Sequence, residues 1–372
     1  MDLMNPNDRL LSLDALRGFD MLFIMGFAGL VASLCALWPN AFTDALAAQM
    51  SHVSWNGLAH HDTIFPLFLF IAGVSFPFSL ASQRARGFGR GRIARRIVRR
   101  GVTLVVLGLV YNGLFRLDFA SLRVASVLGR IGLAWMFAAL LALYCTPRTR
   151  GILAAAILVG YTALLCLVPA PDAPAGADPL SQEGCLNGWI DRQWLPGRFY
   201  NGSFDPEGLL GTLPAVVTAL LGVFTGEYLR LQSPGLTGRR KALRMALAAV
   251  ALIAAGGVWS LLMPINKALW SSSFTCVVGG YSLGMLALFY YLIDVCGYRR
   301  WTLFFRVIGL NSITIYLAQA IVPFQAVSDF FVGGLASKCG GDLESVINGA
   351  GYVAVCWLFL YFLYRKQVFL KV

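Results

Sequence analysis

The chain reads as an all-α polytopic membrane bundle of about ten transmembrane helices with both termini cytoplasmic. Composition, span count and charge placement agree on it. Of 372 residues, 58% are hydrophobic and only 13% charged, against roughly 45–50% and about 25% in soluble domains. A span needs about 20 mainly apolar residues. Ten such stretches lie near 16–37, 63–80, 98–114, 124–145, 151–169, 209–229, 245–263, 272–293, 307–325 and 349–364.

Basic residues test that frame independently, because cytoplasmic loops carry an excess of lysine and arginine. With the N-terminus inside, 23 of the 30 basic residues fall in inside segments and six in outside loops, while Arg130 lies within the fourth span. Eight arginines between Arg84 and Arg100 form one inside loop, which suits anionic lipid headgroups. The net charge of +12 is thus accounted for by the membrane surface, and no nucleic-acid partner is expected. The first apolar stretch is expected to be an uncleaved span, since no convincing cleavage site follows it.

The whole chain, 1–372, is expected to be a single membrane-embedded domain. Two outside segments, 38–62 and 169–208, are too long for plain connectors, and loops of that length are commonly functional. The second contains Trp189, Asp191, Arg192 and Trp194, types that suit sugar stacking and hydrogen bonding, although an ordered cap over the bundle reads equally well. Twelve of the eighteen acids lie outside, including Asp62, Asp191, Asp205 and Glu207. Such a face favours a cationic substrate such as an amino sugar over a polyanion. Cys185 and Cys339 lie in outside loops, where an oxidising compartment would permit pairing.

Ionisable groups within spans normally face a cavity or a partner. Asp14, Arg17 and Asp20 open the first span, and Asp14 and Arg17 share a helix face. Arg130 has no acid in its own helix; Asn266 and Lys267 precede the eighth span; Asn311 and Ser312 begin the ninth. Interhelical pairing, for example of Asp14 or Asp20 with Arg130, is one reading, and a substrate or cofactor role is the other. The densest polar cluster is SHVSWNG at 51–57, with Trp55 and Asn56 in it, followed by Asp62. All three histidines, His52, His60 and His61, lie within the ten residues 52–61. Histidine titrates near neutral pH and can take a proton from an attacking amine, with a carboxylate such as Asp62 to orient it. The spacing fits no standard zinc site, so no metal is expected. There is no Walker loop, nucleophile elbow or dinucleotide fingerprint.

Six segments in order carry a resemblance: SLDALRGF at 12–19, HVSWNG at 52–57, DTIFPLFLFIAG at 62–73, DPEGLL at 205–210, PINKALW at 264–270 and GLNSITIY at 309–316. Together they resemble the heparan-α-glucosaminide N-acetyltransferase family and its bacterial relatives, almost end to end. The resemblance implies an acyltransferase-like membrane domain that moves an acetyl group from cytosolic acetyl-CoA, as co-substrate, to the amine of a glucosamine-type sugar outside. His52 matches the family's active-site histidine, with Asp62 as its partner. Ala28 stands where better-studied members carry an asparagine, closer to a bacterial branch associated with N-acetylglucosamine uptake. Expected donor contacts are Arg17, Arg130, Asn266, Lys267, Asn311 and Ser312. Expected sugar contacts are Trp55, Asn56, Asp191, Arg192, Asp205 and Glu207. A multi-pass protein of a bacterial inner membrane, with His52 periplasmic and a homodimeric state, follows from the same resemblance. An amino-sugar carrier and an acyltransferase acting on a lipid or cell-wall glycan remain as alternatives.

Overall fold

A computed structural model describes residues 10–370. Arg9, Lys371 and the two termini lie outside the described residues. In chain order the helices are α1 (Leu11–Leu22), α2 (Ala28–Ala36), α3 (Ala41–Ala48), α4 (His60–Ala85), α5 (Arg90–Tyr111), α6 (Val127–Tyr144), α7 (Pro147–Leu167) and α8 (Leu186–Trp194). There follow α9 (Thr212–Arg230), α10 (Gly238–Trp259), α11 (Ser272–Phe289), α12 (Thr302–Leu310), α13 (Ser312–Ile321), α14 (Phe324–Cys339) and α15 (Gly341–Arg365). Every apolar stretch read from the sequence falls on a helix or a broken helix.

Among the described residues, eight helical runs are long and apolar enough to cross a membrane, and a ninth if α12 and α13, bent by 66°, form one span. The tenth expected span is α5, a helix of 22 residues whose first half is too rich in arginine for that test. Its apolar half packs on α6. Two runs continue through wide turns: α1 joins α2 across Phe23–Phe27, and α11 extends through Tyr290–Val295. The first of these turns at Gly26, whose φ of 109° is open to glycine and hard for other residues. Asn311, with φ −123° and ψ 28°, breaks α12 from α13.

Small residues let helix backbones meet where no water drives them together. A Cβ on Gly222 of α9 would lie 2.1 Å from the Phe70 carbonyl oxygen of α4, and one on Gly73 of α4 would lie 2.2 Å from that of Ala219. Because backbone cannot yield as a side chain can, Gly222→Leu is expected to destabilise the bundle by about 1–3 kcal/mol. A lower unfolding temperature in detergent, beside a surface control such as Leu247→Ala, is the check.

α4 runs 26 residues, about 39 Å at 1.5 Å per residue. One end carries His60 and His61, with His52 in the loop just before it, and the other leads into the arginine run, so the two groups occupy opposite faces of the bundle. These are called the histidine face and the arginine face below.

The segment at 169–208 is an ordered cap on the histidine face. Phe204, Cys185 and Leu186 bury against Tyr161, Leu165, Met263 and Leu269 of the bundle. Arg192 binds Asp172 through Nε at 3.2 Å and one terminal nitrogen at 2.8 Å, and donates from the other to the Ser203 carbonyl at 2.8 Å. Cys185 is buried with its thiol 3.5 Å from the Gln182 carbonyl, and both Cys185 and Cys339 are free thiols.

Candidate functional site

The site forms where α3, the loop 51–59 and the start of α4 meet the turn between α10 and α11. Gln49 at the end of α3 fixes the first turn of α4: its carbonyl takes the His61 N–H at 3.0 Å and its side chain takes the His60 N–H at 2.9 Å. Asp62 sits one turn into α4. Its Oδ2 accepts the Ala59 N–H at 3.1 Å, closing the helix start, and the Val53 N–H at 3.4 Å. Its Oδ1 meets His52 Nδ1 at 2.7 Å and the Lys267 ammonium at 3.3 Å. The carboxylate side chain is 1% exposed while that of His52 is 51% exposed. A buried, fully engaged acid therefore holds an accessible imidazole, the arrangement of an oriented base. The His61 ring lies 4.5 Å from that of His52.

Asn266 and Lys267 belong to this cluster. The Asn266 amide donates to Asn56 Oδ1 at 3.0 Å and accepts the Leu269 N–H at 2.8 Å. Lys267 Nζ is 2.9 Å from His52 Nδ1. Burial pushes the Lys267 ammonium below its usual range, opposed by the charges of Asp62 and Glu207.

Beside the cluster, Arg123 grips Asp205 with two bonds of 2.7 Å and also binds Glu207. Burial works against the Arg123 charge, but the Asp205 bonds and both carboxylates hold it above the ordinary arginine range. The sequence reading counted Arg123 only among the few outside basic residues. Its place immediately before a span, in a loop poor in basic residues, is the signal that was there to use. Arg130 donates to the Gly208 carbonyl at 2.8 Å and lies over the Trp270 ring at 5.2 Å, so it neighbours the histidine face. The suggested partners of Arg130 lie elsewhere, with Asp14 held by Arg17 at 3.6 Å.

Trp55 directs its indole N–H to the Leu180 carbonyl at 2.9 Å and its ring to Phe204, joining the loop to the cap. Asp191 is buried under the cap, with Oδ1 on the Leu209 N–H at 2.8 Å. Burial pushes its carboxyl up to about 7, against the Leu209 bond and the Arg130 charge. A carboxyl raised in the folded state favours folding at low pH and loses that contribution as pH rises through the folded value. Stability is accordingly expected to fall between about pH 4 and 7. Asp191→Asn keeps an acceptor for Leu209, and melting curves across that window should show a flatter dependence in the variant.

Arg17, Asn311 and Ser312 lie apart from the histidine cluster. Arg17 donates to Ser75 Oγ at 3.3 Å, and the Asn311 amide donates to the Val368 carbonyl at 3.2 Å. A cavity of about 260 Å³ connects this region toward the other face. From α4 it is lined by Phe65, Phe68, Ala72 and Ser75, a run of about 15 Å along the helix. Apolar side chains dominate its wall, with Arg17, Ser75, Arg100, Ser312 and Tyr316 as polar exceptions. Phe65, one turn below Asp62, packs edge-on against Trp270 at 4.9 Å and lines the cavity on the side of the histidine cluster.

Fold and site together define a multi-pass membrane protein with a histidine–carboxylate centre on one face and an arginine-ended apolar cavity beneath it. The chain is similar to heparan-alpha-glucosaminide N-acetyltransferase of Mus musculus, at 28% identity over 86% of this chain and 56% of the relative. It is similar also to the Homo sapiens protein of that name, at 27% identity over 86% of this chain and 55% of the relative. The chain thus spans about half the length of the curated relatives it matches. No protein-family model matches it.

Proposed function

We propose that the chain is a transmembrane N-acetyltransferase. It would use acetyl-CoA from the cytosol and acetylate the amine of a glucosamine-type sugar on the opposite side of a bacterial inner membrane, with His52 periplasmic. The observation that carries the reading is the exposed His52 imidazole held on a buried Asp62 at 2.7 Å, above a cavity that leads toward the arginine face.

With the Nδ1 hydrogen given to Asp62, the Nε2 lone pair of His52 takes the proton of the attacking amine. A C–N bond forms at the acetyl carbonyl, the C–S bond breaks, and the imidazolium returns its proton to the departing CoA sulfur. The cavity suits an extended, mostly apolar arm such as pantetheine. Arg17 and Arg100 offer guanidinium groups for phosphates at its other end. Ser312 lines this path and Asn311 stands next to it, whereas Asn266 stiffens the acceptor side by holding Asn56. Asp205, Glu207, Asp191 and Arg192 shape the wall of the acceptor side through the cap, and the bundle is proposed to work as a homodimer in membrane lipid, with neither metal nor nucleic acid.

One observation favours a carrier instead: the break at Asn311 places non-helical backbone within a spanning pair, a feature of transporters. Purified protein with acetyl-CoA and glucosamine decides between the two. Release of free CoA with N-acetylglucosamine supports the enzyme. Binding of the sugar with no consumption of acetyl-CoA would move the assignment to the carrier.

A further inference from the structure

Lys267 sits on a turn that is clamped at both ends. The Ser271 N–H reaches the Asn266 carbonyl at 3.0 Å, and the Trp270 N–H reaches that of Lys267 at 3.0 Å. Trp270 has a φ of 52°, a left-handed conformation that costs a non-glycine residue about 1–3 kcal/mol and persists only where its surroundings enforce it. Here the indole is fully buried and donates to Thr218 Oγ1 at 3.2 Å. On the other side, the Gly57 N–H donates to the Ile265 carbonyl at 2.8 Å, and Asn266 holds Asn56. The turn is thereby tied both to the bundle and to the loop that carries His52. Its product is one ammonium group, 3.3 Å from Asp62 Oδ1 and 2.9 and 3.3 Å from the two ring nitrogens of His52.

We propose that Lys267 is a positioning residue for the His52–Asp62 base, keeping Asp62 ionised against the ring while opposing a proton at rest on His52. The inference deepens the acetyltransferase reading and rests on it. A carboxylate alone stabilises an imidazolium, which cannot accept a proton; a cation at similar distance offsets that pull. The groups facing His52 are Asp62 and His61 from α4 and Lys267 from the turn. Glu207 and Arg130 act on Lys267 from behind, with opposite signs. The lysine side chain is 17% exposed, so water screens the interaction only in part.

The test uses the full chain in detergent or nanodiscs, with Lys267→Gln, Lys267→Met and Lys267→Arg. With three histidines in the protein, ring resonances from 13C-labelled histidine are resolvable, and His52→Ala assigns the one of interest. The account expects Gln and Met to move the His52 titration upward by about one pH unit, and the acidic limb of kcat/KM with it. Arg should restore both. A resonance that titrates alike in all four proteins, with activity merely reduced, overturns the proposal and leaves Lys267 a structural residue. A parent protein without turnover counts against the acetyltransferase reading alone, and the resonance shift still decides for or against Lys267.

Discussion

His52→Ala lowers the rate of glucosamine-dependent CoA release by about 10²–10⁴-fold, the range of a lost general base. Its folding is expected to stay intact, because His52 is exposed and touches mainly Asp62, His61 and Lys267. Asp62→Asn should cost both rate and stability, since the same carboxylate closes the start of α4 through the Ala59 N–H. The contrast is informative. A variant pair in which only Asp62→Asn melts early, yet both lose turnover, separates the chemistry from the scaffold. Steady-state CoA release with melting curves on the same preparations reads both. Full activity in His52→Ala ends its assignment as the base.

The second large effect belongs to the donor. Arg17→Gln and Arg100→Gln each remove a guanidinium from the cavity wall. A charge-assisted hydrogen bond to a phosphate contributes about 1.5–3 kcal/mol, so each variant should weaken acetyl-CoA binding roughly 10–100-fold. The loss should appear in the KM for acetyl-CoA, with the KM for the sugar unmoved, if the acceptor binds on the histidine face as proposed. Arg17 also holds Asp14 and Ser75, which makes Arg100 the cleaner variant. Equilibrium binding of acetyl-CoA measures it. Unchanged affinity in both variants would place the phosphates elsewhere.

Hydropathy made the bundle legible because long apolar helices declare themselves locally. What hydropathy missed was equally physical. The short helices α3 and α8 lie in segments without a span's length, and α14, with 16 residues including Asp329 and Lys338, fell into an expected outside loop. The break at Asn311 coincides with a polar pair, Asn311–Ser312, that the sequence had marked without assigning a bend. At the site, His52 and Asp62 are ten residues apart and could be read together. Lys267 is 215 residues from His52, and nothing local shows that the turn between α10 and α11 returns to that loop. The sequence reading grouped it with Arg17 and Asn311 as a donor contact; the structure sets those two apart and brings Lys267 to the base. Of the residues read as sugar contacts, Asp191 takes the Leu209 N–H, Arg192 holds Asp172 and Ser203, and Asp205 holds Arg123, partners far apart in sequence that no local pattern shows.

The central claim is transfer of an acetyl group from one face of the bundle to the other. Proteoliposomes of uniform orientation test it, with acetyl-CoA confined to the arginine face and glucosamine to the histidine face. The account predicts N-acetylglucosamine only in the glucosamine compartment and free CoA only in the other, both absent with His52→Ala. Product that forms only when donor and acceptor share a compartment, or unmodified sugar that crosses without CoA release, would contradict it.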